Sequence, residues 1–209
     1  LLSQLTVMSL AGYVYPNVYG SAAAQSTASL LGTVVMLIVC APFASKLAAT
    51  FGKKELAVAS SICSALVWLV CLIWRPASVW GFVACYILAN VGMGFFNTII
   101  WAMITDVIDD AEVRSGIRED GTIYSVYSFA RKLGQAFSSG LVGALLGIIG
   151  YTEATAFDPA VTRGIFNMAC IAPIIGFVCI VLALVFLYPL NKKKVEENVA
   201  ALAARRNSK

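Results

Sequence analysis

Residues 125–137, SVYSFARKLGQAF, decide how this chain is read. They lie in a hydrophobic stretch running from about residue 121 to residue 150. At about 1.5 Å per residue, Lys132 falls about 16 Å along a helix begun at Gly121. A bilayer's hydrocarbon core is about 30 Å thick, so this ammonium sits close to its centre. Ionisable groups at that depth are expensive, and by default they mark a solute or ion pathway.

The rest of the chain agrees with a membrane setting. It is 60% hydrophobic and 12% charged, with a mean hydropathy of +0.84; an ordinary soluble domain is excluded. Uncharged runs predict an all-α membrane protein with six spans, at about 1–19, 26–47, 56–74, 77–105, 121–150 and 164–190. Residues 1–190 form the bundle and 191–209 a tail. Short loops make each helix antiparallel to its neighbour in sequence. The chain opens on Leu1, in apolar sequence with no basic segment before it, so it reads as the second half of a longer membrane protein. No span carries a central acidic residue to neutralise Lys132.

Enzymatic chemistry has little to work with. The chain has no histidine, and its six cysteines have no metal-ligand spacing. A catalytic triad that needs histidine is therefore impossible, and no phosphate-binding glycine loop is present. The expectation is a non-enzyme with no cofactor and no metal site in this half.

Lysines and arginines fall mostly on one side of the predicted spans: Lys46, Lys53, Lys54, Arg114, Arg118, and the tail's Lys192, Lys193, Lys194, Arg205, Arg206 and Lys209. Only Arg75 and Arg163 fall on the other. The positive-inside rule puts the first group, and the tail, in the cytoplasm. The net charge of +4 needs no nucleic-acid partner. The tail is expected to touch anionic lipid, with Val195, Val199 and Leu202 on one face of a short surface helix.

Around Lys132, the residues Tyr124, Ser128, Lys132, Gln135 and Ser139 are spaced four, four, three and four apart, which keeps them on one helical face. Hydroxyls, an amide and an ammonium on one stripe suit a water-filled cavity that binds a polyol; Ser and Gln also serve as interhelical glue. Arg131 lies about a third of a turn away. Gly140, Gly143, Gly147 and Gly150 read as close helix-packing positions. In the preceding helix, Asn97 and Trp101 share a face, where an indole stacks on a sugar ring and an amide bonds its hydroxyls. Gln4, Tyr13 and Asn17 in the first helix are further contributors.

Residues 106–120, DVIDDAEVRSGIRED, place Asp106, Asp109, Asp110, Glu112, Glu119 and Asp120 beside only Arg114 and Arg118. Asp106, Asp109 and Glu112 repeat every three residues, giving an acidic face. The segment is expected to join two membrane helices on the cytoplasmic side, where its carboxylates would pair with basic residues of the missing half and form a gate.

Residues 101–151, WAMITDVIDDAEVRSGIREDGTIYSVYSFARKLGQAFSSGLVGALLGIIGY, resemble the tenth and eleventh helices of the glycoside–pentoside–hexuronide:cation symporters of the major facilitator superfamily. The resemblance extends to YPLNKKKVEE at residues 188–197, and KLAATFGKK at 46–54 is generic to the superfamily. It implies the C-terminal six-helix bundle of a twelve-helix transporter in the bacterial inner membrane. A glycoside, pentoside or hexuronide would enter with Na⁺, H⁺ or Li⁺ by alternating access. Lys132 matches the family's helix-eleven lysine, which faces cation-site carboxylates of the N-terminal half. Asp106, Asp109, Glu112, Arg114 and Arg118 match its cytoplasmic gate motif. This chain departs from the family's Asp-Tyr-Gly-Glu at Asp109–Glu112, and it carries Asn97 where some relatives have Trp. The alternatives are the same fold moving a lipid or zwitterionic solute, or a membrane sensor that transports nothing.

Overall fold

Proline and glycine set the breaks between rods in this all-helical chain. The computed structural model describes residues 2–207. Leu1, where the first predicted span begins, and Lys209 of the basic tail lie outside the described residues. Helix α1 (Leu2–Tyr13) widens into a π-helical turn at Val14–Val18. Pro16 within it has no N–H to continue the ladder. Gly20, with φ +64°, then reverses the chain. Helices α2 (Ala22–Val35) and α3 (Ala41–Phe51) form one rod through a π turn at Met36–Cys40. Pro42 follows that turn and cannot donate to the carbonyl four residues back.

Gly52, with φ +105°, turns the chain into α4 (Lys53–Trp74). Helices α5 (Val79–Ser115), α6 (Asp120–Ile148), α7 (Pro159–Phe186) and α8 (Lys192–Asn207) complete the order. Among the described residues, four helical rods are long and apolar enough to cross a bilayer: Ala22–Phe51, Lys53–Trp74, Val79–Ser115 and Pro159–Phe186. Helices α1 and α6, in the regions expected at 1–19 and 121–150, are not among those four. Helix α1 is only 12 residues long. Helix α6 has the length, at 29 residues, but Arg131, Lys132 and the polar stripe dilute its apolar character.

Helix α4 packs between α5 and α7, α1 lies against α6 and α7, and α2 lies against α5. Phe82 is fully buried at the centre. Its ring meets Tyr15 edge-on at 5.5 Å, Trp68 at 6.0 Å and Phe166 at 6.0 Å. Edge-to-face aromatic pairs contribute beyond simple area burial. A smaller apolar cluster, including Ala44, Ala57, Ile99, Met103 and Leu184, joins α3, α4, α5 and α7.

Small residues bring α4 and α5 together. The Ser64 hydroxyl donates to the Ala89 carbonyl at 2.8 Å, and Gly92 faces Ser60 and Ser64 with no room for a methyl group. Gly92→Ala is expected to destabilise the protein by about 1–3 kcal/mol through overpacking, read as a lower thermal midpoint in detergent. The glycines expected to pack helices closely behave otherwise. A Cβ at Gly140, Gly143, Gly147 or Gly150 would meet no atom within 4 Å. They lie on faces of α6 and its end that this chain leaves open. The close approaches fall instead at Gly92 and Gly94 of α5 and Gly176 of α7.

The acidic segment is also more ordered than a connecting loop. Helix α5 runs through it to Ser115 and stops at Gly116, whose φ is +78°. At 37 residues and about 1.5 Å per residue, α5 exceeds the hydrocarbon thickness, so its acidic end projects beyond it.

Candidate functional site

The sequence candidates separate into three places. The first is a cavity of about 600 Å³ between α1, α5 and α6, lined by Gln4, Phe96, Asn97, Trp101, Tyr127 and Arg131 among others. Helical spacing presents Asn97 and Trp101 from one face of α5, and Tyr127 and Arg131 from one face of α6. The Arg131 guanidinium lies 5.3 Å from the Trp101 ring centre and 5.6 Å from that of Tyr127, within cation–π range. Tyr127 meets Trp101 edge-on at 5.3 Å, and Tyr124 lies 6.4 Å from the same indole. The Asn97 amide donates to the Gln4 side-chain oxygen at 3.5 Å.

The Gln4–Asn97 pair also borders a second cavity, of about 190 Å³, between α1, α2 and α5. Ser29, Thr33 and Asn90 give it an uncharged polar lining. The Asn90 amide donates to the Tyr86 carbonyl at 2.7 Å. These three residues and Tyr127 were missed in the sequence. Asn90 is an amide inside a predicted span, and Tyr127 stands four residues before Arg131, so both carried a signal. Ser29 and Thr33 carried none, because only the packing of α2 beside α5 turns them to this space.

The second place is the stripe itself. Ser128, Lys132 and Gln135 are exposed on α6, and they line neither of these cavities. Lys132 has no ion-pair or hydrogen-bond partner among the described residues. Tyr124 is half-buried and turned toward Trp101. The stripe therefore divides, with its first residue in the aromatic group and the others on an open face. Arg131 and Lys132, adjacent in sequence, serve different surfaces.

The third place is the acidic end of α5. Lys53 pairs with Asp106 at 2.6 Å, and the Asp106 side chain is only 5% exposed. Arg118 donates to Asp109 at 2.8 Å, Glu112 at 2.8 Å and Asp120 at 3.0 Å. The Asp109 carboxylate, then Glu112 and Asp120, hold the Arg118 guanidinium above its ordinary pKa. Arg114 pairs with Asp110 at 2.8 Å from an exposed position. These carboxylates, expected to pair with basic residues of another half, also have partners within this chain, from α4, the α5–α6 connection and α8.

The tail takes part too, through α8. Asn198 and Leu202 of α8 are buried against the α5 end, whereas Val199 is 54% exposed. Asn198 donates to Asp110 at 2.9 Å. Arg205 donates to the carbonyls of Glu112 and Val113 at 3.2 and 3.0 Å. The face that packs is thus polar and centred on Asn198, because the surface it meets is acidic. Asn198→Ala leaves Asp110 short of a buried donor, at a cost of about 1–3 kcal/mol. Tryptic cleavage within α8 is expected to speed up about tenfold or more while the bundle stays folded.

Comparison with known proteins places this geometry in a family. A family model described as MFS/sugar transport protein matches residues 1–192. A glucuronide carrier protein homolog of Escherichia coli K12 is 29% identical over 85% of this chain and 38% of its own length. A putative sulfoquinovose importer of the same strain is 29% identical, over 85% of this chain and 37% of its own. An uncharacterized symporter of Bacillus subtilis 168 is 34% identical, over 73% and 33% respectively. The chain therefore spans about a third of the length of each of these relatives. It belongs to the sugar-transport family of the major facilitator superfamily, whose members are multi-pass membrane transporters and not enzymes.

Proposed function

We propose that this chain is the C-terminal six-helix half of a transporter that moves a glycoside, pentoside or hexuronide by symport with Na⁺ or H⁺, Li⁺ being a further candidate ion. The observation that carries this reading is the unpaired Lys132 on the open face of α6, one residue from Arg131 in a cavity walled by Trp101 and Tyr127. A cation at that depth requires a counter-charge, and no described residue of this chain supplies one. Carboxylates on an N-terminal half, facing Lys132 on the open face of α6, would balance it and hold the coupling ion. The coverage of about a third of each relative supports a missing partner half.

Sugar binds between the halves in this reading. Trp101 offers an aromatic face for a ring, and Gln4, Asn97 and Asn90 offer uncharged hydrogen bonds. The Arg118 cluster and the Lys53–Asp106 pair stiffen the cytoplasmic end of α4, α5 and α8, so that the half rocks as one body during alternating access. The basic cluster and tail support a cytoplasmic position for that end, in a bacterial inner membrane.

Labelled-glycoside uptake by the intact parent protein, in vesicles with separate Na⁺ and H⁺ gradients, tests the proposal. Uptake driven by one of the two ions is expected. Uptake of no glycoside under either gradient would overturn it and favour a lipid or zwitterionic solute, or a sensor.

A further inference from the structure

Arg75 and Arg163, the two basic residues at the end of the bundle opposite the acidic cluster, converge on one cavity. It measures about 350 Å³ and is lined by Tyr19, Arg75, Pro76, Thr162, Arg163 and Phe166 among others. The turn after α1, the α4–α5 connection and the first turns of α7 build it. The Tyr19 hydroxyl donates to the Pro76 carbonyl at 2.9 Å, and the Arg75 guanidinium donates to the Asn167 side-chain oxygen at 3.1 Å. Arg75 closes α4 in the left-handed region, at φ +48°. Glycine closes a helix in that conformation with no Cβ penalty. The guanidinium is thus held at a backbone cost that the helix end alone does not require.

Depth places this cavity among lipid headgroups. Helix α4 has 22 residues, about 33 Å at about 1.5 Å per residue, close to the thickness of the hydrocarbon core. Lys53 and Arg75 therefore stand at its two surfaces. Trp74 and Trp80 are exposed beside Arg75, as indoles of an interfacial belt are. Both arginines are exposed, and neither forms an ion pair among the described residues. Glu153 and Asp158, in the connection leading to α7, do not line the cavity. Guanidinium N–H groups only donate, and their fork matches phosphate oxygens. A headgroup that carries an ammonium would bring a third cation to the pair. Ile62, Leu66, Val70 and Ile73, spaced four, four and three apart, form an exposed apolar stripe along α4 that ends at Arg75. No residue of α6 lines the cavity, so it stays clear of the face assigned to the partner half.

We infer that Arg75 and Arg163 bind the phosphodiester of an anionic phospholipid, such as phosphatidylglycerol, in the leaflet opposite the acidic end of α5. The phosphate receives charge-assisted hydrogen bonds from both guanidiniums, and an acyl chain lies along the α4 stripe. A bound lipid then ties the end of α4 to the start of α7. This goes beyond the transport reading and does not depend on it.

The test is native mass spectrometry of the delipidated parent protein, titrated with phosphatidylglycerol and separately with phosphatidylethanolamine of the same acyl chains. Inorganic phosphate serves as a competitor. The wild type is expected to hold phosphatidylglycerol more tightly than phosphatidylethanolamine. The double variant R75Q/R163Q is expected to weaken phosphatidylglycerol binding by about tenfold to a hundredfold, and R163Q alone by about tenfold. R75K/R163K keeps part of the affinity, because an ammonium retains the charge and loses the fork. The Arg163 side chain has no partner in the fold, so R163Q reads the site even where R75Q lowers stability by losing Asn167. Equal affinity for the two lipids, or unchanged phosphatidylglycerol binding in both R163Q and R75Q/R163Q, would overturn the inference. Displacement of the lipid by inorganic phosphate at similar concentration would overturn it too, and would make this a site for free phosphate. Sugar uptake is not a readout, so failure here and failure of the transport reading are distinguishable.

Discussion

Replacing Lys132 by alanine in the intact parent protein is expected to abolish ion-driven accumulation of solute while leaving insertion and folding normal. The side chain is exposed on α6 and has no ion-pair or hydrogen-bond partner among the described residues, so its removal opens no cavity in the bundle. Its loss leaves the proposed carboxylates of the N-terminal half facing one another without a counter-charge. Breaking one side of a buried charge arrangement is strongly unfavourable, and the coupled uptake rate should fall about a hundredfold. Lys132→Arg keeps the charge and should retain part of the uptake. Thermal unfolding in detergent, measured on the same preparations, separates coupling from stability. Unchanged uptake in Lys132→Ala would keep the transporter and remove this residue from its coupling centre.

The largest stability effect is expected at Lys53→Ala. Lys53 reaches from the start of α4 to Asp106, the first carboxylate of the acidic end of α5, and also donates to the Ala102 carbonyl at 3.4 Å. One oxygen of Asp106 is already buried without a hydrogen-bond partner. Removing the ammonium strands a buried carboxylate, at a cost of about 3–5 kcal/mol. The double variant Lys53→Met with Asp106→Leu should recover most of that stability, because apolar groups of similar volume tolerate burial without a partner. The thermal midpoint reports both effects. A drop of less than about 1 kcal/mol for Lys53→Ala would mean that water reaches Asp106 and that the pair behaves as a surface one.

The extent to which the site was legible in the sequence follows from the range of each interaction. Asn97 with Trp101, and Tyr127 with Arg131, lie four apart, so helical geometry alone sets each pair on a common face. Gln4 meets Asn97 across 93 positions, Lys53 meets Asp106 across 53, and Asn198 meets Asp110 across 88. No periodicity encodes such pairings. The acidic segment was recognisable as a charge cluster, yet its partners came from α4, the α5–α6 connection and α8. The glycines of α6 show the same limit from the other side. Their spacing identifies a face of small residues, but spacing cannot say whether another helix occupies it, and here none does.

The sequence by itself determined the solvent and the element type. Long uncharged runs demand a bilayer, and a bilayer demands that backbone groups be satisfied within helices. It also determined that Lys132 is costly, since depth along a helix is a matter of counting. Only the tertiary structure decided what each charged group meets. It turned Arg131 into an aromatic-walled cavity and left its neighbour Lys132 on an open face. It also docked α8 on the acidic end of α5. The physical reason is that membrane insertion energies depend on composition along one segment, whereas ion pairing and cavity lining depend on which segments lie side by side.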